Sequence, residues 1–371
     1  MLGAPPQHRR DTPLGRFHLD LLLLLLLLTL ALLGLVILWS ASGEDLQMLQ
    51  RQLIRLGLAF GAMLLVAQIS PDTLQRWAPW LFGFGLLLLL AVLLTGEIGK
   101  GAQRWLDVGL FRFQPSELMK LAVPMMVAWY LAEHPLPPTL RQIMIALLLA
   151  AVPTLLIAMQ PDLGTALLIA SSGGFVVLFA GMPWRLIGYS LLLLLPTAWL
   201  HWHFGMYDYQ RQRVLTFLDP ERDPLGAGYH TIQSKIAIGS GGLYGKGWLN
   251  GTQSHLEFLP ERHTDFIFAV YGEEFGLFGV LLLLLLYLLI VVRGLVIASQ
   301  AQDSFSRLLA GAITMTFMVY FVINIGMVIG VLPVVGLPLP LVSYGGSAMI
   351  TLMIAFGILM AIHTHRKLLK N

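Results

Sequence analysis

Apolar runs of about 20 residues alternate with short polar segments along almost the whole chain. A run of this length spans the hydrocarbon core of a bilayer when it is helical. The pattern therefore predicts an all-α polytopic membrane protein, with one integral-membrane domain over residues 1–371 and about ten transmembrane helices. The predicted spans are 19–39, 53–70, 78–95, 115–132, 142–159, 163–181, 185–204, 266–292, 308–331 and 342–362.

The first apolar run ends in Ser40-Ala41-Ser42, small residues of the kind that precede a signal-peptide cleavage site. The apolar region of a signal peptide is about 7–15 residues long, which is shorter than this run. We therefore expect a retained first span that follows a cytoplasmic tail, residues 1–18.

Basic residues predict the orientation of the spans, because loops rich in Lys and Arg stay in the cytoplasm. An even number of spans places both termini on one side, and basic residues flank both ends of the chain and the short loops of that side. Both termini are therefore predicted to be cytoplasmic. The residues that follow the rule are Arg9, Arg10, Arg16, Arg76, Arg141, Arg185, Arg293, Arg307, Arg366, Lys367 and Lys370.

Composition agrees with a membrane protein and excludes several functions. Apolar residues make up 57% of the chain and charged residues 12%, against about 25% charged in soluble domains. The net charge of +3 is too small to indicate nucleic-acid binding. Cysteine is absent, so disulfides, thiolate nucleophiles and cysteine-bound metals are excluded.

The longest polar segment, 205–265, is predicted to be a large periplasmic loop between the seventh and eighth spans, with a short helix at 231–238. Two interpretations of its basic residues remain: a solvated loop balanced by its own acids, or a surface that binds an anionic ligand. A second polar loop, 96–114, contains Arg104, and residues 105–111 are predicted to form an amphipathic element in the membrane interface. The basic residues of the long loop are Arg211, Arg213, Arg222, Lys235, Lys246 and Arg262.

Glycines dominate residues 239–251, but the segment lacks the ending and the preceding strand of a phosphate-binding Walker loop. Tight turns and close backbone approach are one explanation, and a backbone cradle for a phosphate is the other.

Charged groups inside the predicted spans are costly and usually face the bundle interior. Glu117 and Lys120 share one helix face, either as a structural ion pair or as the lining of a polar cavity. Of Glu273 and Glu274, at least one is expected to face inward. Asp162 either caps the sixth span or touches a substrate.

Asp265 lies where the long polar loop enters the eighth span, beside Arg262 and His263. Thr264 and Asp265 are suited to cap that helix, and a carboxylate at this boundary is also suited to chemistry. Prolines and glycines break helix over 332–347, so this loop, which includes Ser343, is predicted to re-enter and line the same cavity. Asn324 is expected to hydrogen-bond another helix.

Several long motifs resemble the SEDS family (shape, elongation, division and sporulation), most closely its elongation members. The resemblance covers essentially the whole chain. The motifs are Gln114-Pro-Ser-Glu-Leu-Met-Lys120, Gln160-Pro-Asp-Leu-Gly-Thr165, Gly226-Ala-Gly-Tyr-His230, Gly245-Lys-Gly-Trp248, Phe258-Leu-Pro-Glu-Arg-His-Thr-Asp-Phe-Ile-Phe-Ala269 and Pro338-Leu-Pro-Leu-Val-Ser-Tyr-Gly-Gly-Ser347.

The resemblance implies a peptidoglycan glycosyltransferase that polymerises lipid II at the outer face of the bacterial cytoplasmic membrane. It implies Asp265 as the essential acid, the pair Glu117 and Lys120, and a class B penicillin-binding protein, a transpeptidase, as partner. It also implies lipid II and undecaprenyl diphosphate-linked glycan as ligands. Arginines of the outer loops are expected to neutralise the departing diphosphate. A divalent cation is left open as a second group for that task, since the sequence offers no clear ligand set for one.

Two rival functions remain open from the residues alone. Buried polar groups and broken helices also suit a lipid-linked sugar flippase. A scaffold that only recruits a transpeptidase would tolerate the loss of Asp265.

Overall fold

The computed structural model describes residues 18–95, 97–99, 102–107, 112–206, 208–219, 227–255, 259 and 261–365. Helices dominate this part of the chain. In order, the elements are α1 Leu21–Ala41, α2 Leu46–Ala67, α3 Pro71–Thr95, β1 Glu97–Gly99, β2 Ala102–Asp107, β3 Arg112–Phe113, α4 Pro115–Ala132, α5 Leu140–Met159, α6 Leu163–Phe179, α7 Trp184–Leu200 with a π-helical turn His201–Gly205, α8 Asp208–Leu218, α9 Ala227–Gly241, α10 Thr252–His255, α11 Ile267–Ser299, α12 Ser304–Val328 and α13 Ser347–Thr364.

Each of the ten predicted spans coincides with a helix. Seven helices of the described chain are long and apolar enough to cross a membrane: α1, α2, α3, α5, α11, α12 and α13. The helix α6 is apolar but has 17 residues, and α4 carries the charged pair Glu117 and Lys120. The chain is therefore a largely helical protein with many apolar spans, and the count of ten crossings stays a prediction.

The helix α12 forms the centre of the bundle, with contacts to α4, α6 and α11. Its partner α13 packs along α2. Most of α12 and α13 is buried inside the protein, whereas large parts of α2, α3 and α5 are exposed. This arrangement follows from their sequences: α12 and α13 place apolar or small residues on all sides, which is the pattern of a buried helix.

A small antiparallel sheet occupies the region where an amphipathic element was predicted. The strands lie in the order β1-β2-β3, with Trp105 of β2 opposite Glu97 of β1. Residues 105–107 therefore form a strand, in which pairing satisfies the backbone groups of this loop, and their predicted place in the membrane interface stays a prediction. Residues 108–111 lie outside the described part of the chain.

The long polar loop contains its own helices. The predicted helix at 231–238 is confirmed and is longer, since α9 extends over Ala227–Gly241. Arg222 falls outside the described residues.

The helix α11 is broken at Gly276, where the backbone has φ 62 and ψ −162. Residues 242–247 fill the break, as the amides of Lys246 and Gly247 donate to the carbonyls of Glu273 and Glu274, each at 3.0 Å. A Cβ on Gly245 would lie 2.1 Å from the Glu274 carbonyl oxygen. The glycine run thus serves close backbone approach, as the first of the two explanations predicted.

Both acids beside the break are buried, which confirms that they face inward. Glu273 accepts hydrogen bonds from Lys246 Nζ at 2.6 Å and from Thr252 Oγ1 at 3.0 Å. Glu274 accepts one from the Ser40 hydroxyl of α1. These contacts fasten the long loop and α1 to the broken helix.

The opposite end of the bundle is held by a buried ion cluster. Arg293 Nε donates to Asp20 Oδ1 at 3.1 Å, and His363 Nε2 lies 3.2 Å from Asp20 Oδ2. Three helices, α1, α11 and α13, meet at this cluster. The sequence predicted that Arg293 lies in a short cytoplasmic loop. That prediction is wrong, because α11 continues to Ser299 and Arg293 lies inside the helix.

Candidate active site

Asp265 lies in a turn, residues 261–266, directly before α11. Phe266 occupies the N-cap position of the helix, without a side-chain capping bond. The hydroxyl of Thr264 donates to the Glu261 carboxylate at 2.8 Å instead. The capping interpretation for Thr264 is therefore wrong, because Phe266 and not Thr264 occupies the N-cap position of α11.

The loop 329–346 packs against this turn and extends deep into the bundle. A Cβ on Gly34 would lie 2.6 Å from the Leu341 carbonyl oxygen, and the Tyr287 hydroxyl donates to the Pro340 carbonyl at 2.7 Å. Gly34 is about 10 Å below the end of α1 at 1.5 Å per residue. The loop therefore enters the protein at this end, as expected for a re-entering segment, and brings Ser343 beside the turn.

Asp265 itself is half-buried. Its Oδ2 lies 3.4 Å from the position of a Cβ on Gly336, within the entering loop. The backbone carbonyl of Asp265 accepts a hydrogen bond from Asn324 Nδ2 at 2.9 Å. Asn324 thus bonds to loop segments and not to another helix, which corrects the expectation from the sequence.

A group of polar side chains from α4, α6 and α12 lies near Asp265. Lys120 Nζ is 2.8 Å from Glu117 Oε1 and lies over the Tyr320 ring, 5.3 Å from its centroid. Tyr320 is also within electrostatic range of Asp162 and Asp265. The other carboxylate oxygen of Glu117, Oε2, is buried and has no hydrogen-bond partner among the described residues.

Asp162 caps α6, since its Oδ1 accepts from the Thr165 amide at 3.2 Å. Its Oδ2 accepts from Gln114 Nε2 at 3.2 Å. The predicted capping role is confirmed, and the second bond ties α6 to the start of α4.

A recess lies between α4, α6, α12 and α13. One of the two interpretations of Glu117 and Lys120 was the lining of a polar cavity, but the recess beside them is mostly apolar because α12 and α13 line it with large and small hydrocarbon side chains. Such a lining suits a hydrocarbon chain better than a sugar. The lining residues are Lys120, Leu121, Pro124, Leu168, Ile313, Thr316, Phe317, Tyr320, Ala348, Thr351, Leu352 and Ala355.

The predicted basic residues are spread over several environments. Arg262 lies near the turn between α1 and α2, with Nη2 3.9 Å from a Cβ position on Gly43. Arg211 donates to the carbonyls of Trp202 and His203 at 3.1 and 3.0 Å.

Lys246 is paired with Glu273, and Lys235 lies beside Gly330 at the end of α12. The side chains of Arg104 and Arg213 lie outside the described part of the chain.

The structure adds Arg55, which sequence reasoning missed. Its guanidinium lies 4.4 Å from the centroid of the Tyr344 ring, and the ring of His263 contacts Tyr344 edge-on with centroids 6.2 Å apart. Arg55 therefore places a cation beside the turn that carries Asp265. A charge inside a predicted span is the signal that could have identified Arg55, as it did Glu117, Lys120, Glu273 and Glu274.

His230 links the long loop to the same turn. Its ring stacks on Phe266 with centroids 5.5 Å apart. Burial lowers the pKa of His230, although the nearby Glu261 opposes the shift. The ring is therefore neutral near pH 7 and acts in packing.

Within the described ranges, no group of three or more His, Asp or Glu side chains is arranged to hold a metal ion. The divalent cation considered from the sequence stays untested.

Comparison with known proteins places these features in context. A model of the FtsW/RodA/SpoVE family, described as cell cycle protein, matches residues 20–368. The peptidoglycan glycosyltransferase MrdB of Escherichia coli K12 is 57% identical over 356 residues, which cover 96% of each chain. The peptidoglycan glycosyltransferase RodA of Treponema pallidum is 32% identical and covers 94% of this chain and 98% of its own.

Solved structures share the fold. A chain of a peptidoglycan synthase complex, reported with structural coordination of polymerization and crosslinking, matches with a TM-score of 0.79 and 36% identity, over 93% of this chain and 97% of that chain. The rod shape determining protein RodA of Thermus thermophilus matches with a TM-score of 0.71 and 30% identity, over 94% and 98%.

Proposed function

Because the chain belongs to the FtsW/RodA/SpoVE family of cell cycle proteins, we propose that it is a peptidoglycan glycosyltransferase that polymerises lipid II into β-1,4 glycan strands during cell elongation. The identity of 57% to MrdB over nearly the full length supports the activity. The observation that carries the proposed site is the position of Asp265, on a half-buried turn within electrostatic range of Tyr320, a residue that also lines the apolar recess.

Asp265 acts as the general base in the proposed reaction. The 4-hydroxyl of one GlcNAc attacks the anomeric carbon of a lipid-linked MurNAc, so that the new C1–O4 bond forms as the bond to the diphosphate breaks. The donor linkage is α and the product β, so the step inverts, by analogy with glycosidases. The hydroxyl proton passes to the Asp265 carboxylate, and the electron pair leaves with the undecaprenyl diphosphate.

Cations at the same end of the bundle stabilise the departing diphosphate. Arg262 belongs to the turn itself, and Arg55 lies beside the turn, over the Tyr344 ring. Arg211, Arg213, Arg104 and Lys235 remain in the proposal from the sequence. Lys246 is the weakest member, because Glu273 already neutralises it.

Arg55→Ala is expected to raise the KM for lipid II about 10-fold and to leave membrane insertion normal, since one charge-assisted hydrogen bond is worth roughly 1.5–3 kcal/mol. Arg76→Ala is the matched control, because the hydrogen bonds of Arg76 stay inside α3, to the Asp72 carbonyl at 3.3 Å and to Thr73 Oγ1 at 3.3 Å. Steady-state kinetics of both variants provide the measurement. Equal KM values for the two would remove Arg55 from the site.

The proposed setting is the bacterial inner membrane, with both termini in the cytoplasm, Asp265 facing the periplasm and membrane lipids around the bundle. A class B penicillin-binding protein is the proposed partner, supported by the likeness to a chain of a peptidoglycan synthase complex. No nucleic acid takes part. Co-purification of the transpeptidase with the intact chain tests this pairing, and its absence would oppose it.

A flippase is the second candidate function, since the break in α11 and the entering loop are also features of transporters. Proteoliposomes that carry lipid II in one leaflet separate the two. With lipid II on the Asp265 side only, the enzyme makes glycan strands. Transfer of lipid II to the other leaflet without any glycan would favour the flippase.

A further inference from the structure

Three consecutive backbone carbonyls of the turn that carries Asp265 accept hydrogen bonds from other elements. The amide of Tyr344 donates to the His263 carbonyl at 2.8 Å. Ser343 Oγ donates to the Thr264 carbonyl at 2.5 Å. Asn324 Nδ2 donates to the Asp265 carbonyl at 2.9 Å. We call these three contacts the carbonyl clamp.

The two side chains of the carbonyl clamp are themselves fixed. Asn324 is fully buried, and its Nδ2 also donates to the Leu337 carbonyl at 2.6 Å. Ser343 Oγ accepts from the Leu339 amide at 2.7 Å. Each side chain therefore joins the Asp265 turn to the entering loop, and neither is free to rotate without breaking a second bond.

A second layer supports the loop from α2. Gln52 is almost fully buried, and its Nε2 donates to the Ser343 carbonyl at 3.2 Å. The Tyr344 ring lies under Arg55. The backbone around Asp265 is thus held from α2, α12 and the entering loop together.

We propose that Asn324 and Ser343 are positioning residues that set the place of the Asp265 carboxylate for the chemical step. The proposal rests on the proposed function and deepens it. The Asn324 contact is made to the carbonyl of Asp265 itself, and the Ser343 contact to the residue before it. Neither Asn324 nor Ser343 is assigned contact with the substrate.

Loss of either side chain should therefore lower the rate of the chemical step and leave the binding of lipid II almost unchanged. A displacement of a reacting group by about 1 Å costs about 10²-fold in rate. Ser343→Ala or Asn324→Ala leaves a buried carbonyl without one donor, so the turn shifts or moves. We expect kcat for glycan synthesis to fall about 10- to 100-fold while the KM for lipid II changes less than about 3-fold.

Ser234→Ala is the matched control. Ser234 is fully buried, and its Oγ donates to the Val328 carbonyl at 2.7 Å, which joins α9 to the end of α12. The substitution removes the same kind of bond between elements, but not one to the Asp265 turn. Thermal unfolding of Ser234→Ala and Ser343→Ala therefore shifts by similar amounts, while kcat falls only for Ser343→Ala.

The experiment uses the full chain with its transpeptidase partner and measures kcat, KM and thermal unfolding for the wild type, Ser234→Ala, Ser343→Ala and Asn324→Ala. A double variant separates a positioning role from a merely structural one, because loss of structure would lower the residual rate of Asp265→Asn further. In an Asp265→Asn background, Ser343→Ala is expected to change the residual rate less than about 2-fold, because residues that act through one group are not additive.

Several results would overturn the proposal. The first is that Ser343→Ala and Asn324→Ala both have the kcat of Ser234→Ala. The second is that Ser343→Ala lowers the residual rate of Asp265→Asn by a further 10-fold. If Ser343→Ala fails to reach the membrane, Asn324→Ala carries the same expectation and decides alone. If the wild type and Ser234→Ala make glycan, the proposed function stands. The positioning role of Asn324 and Ser343 can then be rejected without rejecting the function.

Discussion

Asp265→Asn is expected to lower glycan synthesis from lipid II by about 10²- to 10⁴-fold, the usual contribution of a general base. Asparagine keeps the size of the side chain but accepts no proton at neutral pH. The turn should persist, because the carbonyl clamp acts on its backbone. Membrane insertion and thermal unfolding should therefore match those of the wild type.

Asp303→Asn is the control for this change. Asp303 is the N-cap of α12, where its Oδ1 accepts from the Ser306 amide at 2.8 Å, and asparagine caps helices about as well as aspartate. This variant should synthesise glycan normally. A wild-type rate from purified Asp265→Asn would end the assignment of Asp265 as the base.

Glu117→Ala is expected to destabilise the protein by about 3–5 kcal/mol, the cost of leaving a buried charge without its partner. Lys120 is the charge concerned, since its side chain is 12% exposed and its only salt bridge among the described residues is to Glu117. Thermal unfolding in detergent measures the effect. Glu133→Ala is the control, because Glu133 is exposed at the end of the same helix and should unfold like the wild type.

The double variant Glu117→Met with Lys120→Met distinguishes a structural pair from a functional one. Replacing both charges by apolar residues of similar size is often neutral for stability. If the pair only holds α4 in place, the double variant regains stability and activity. Regained stability without activity would assign the pair a role at the recess. A Glu117→Ala protein as stable as Glu133→Ala would contradict the expected cost.

Much of the fold could be predicted because the bilayer imposes a simple pattern on the sequence. Each apolar run became a helix, and α4 begins at Pro115 as the first-turn preference of proline indicates. The features that could not be predicted are local structures that leave no periodic pattern of apolar residues in the sequence. The sheet of β1, β2 and β3 depends on backbone pairing, and the break at Gly276 lies inside a stretch predicted to be one uninterrupted span.

The candidate site could be predicted only in part, because its contacts join distant residues. Asp265 was identified from its place at a loop–helix boundary and from the family resemblance. Its backbone partners Asn324 and Ser343 are 59 and 79 residues from the carbonyls they hold, and spacing along the chain carries no signal of such pairs. The partner of Lys246, Glu273, is 27 residues away, so a basic residue assigned to substrate has an internal partner.

Formation of the first glycosidic bond in a single turnover tests the central claim most directly, with enzyme in excess over labelled lipid II and binding measured in the same samples. Wild type and Asp265→Asn, each with the transpeptidase, should bind lipid II equally. Only the wild type should then form the bond at an appreciable rate. Equal rate constants at equal occupancy would contradict the account.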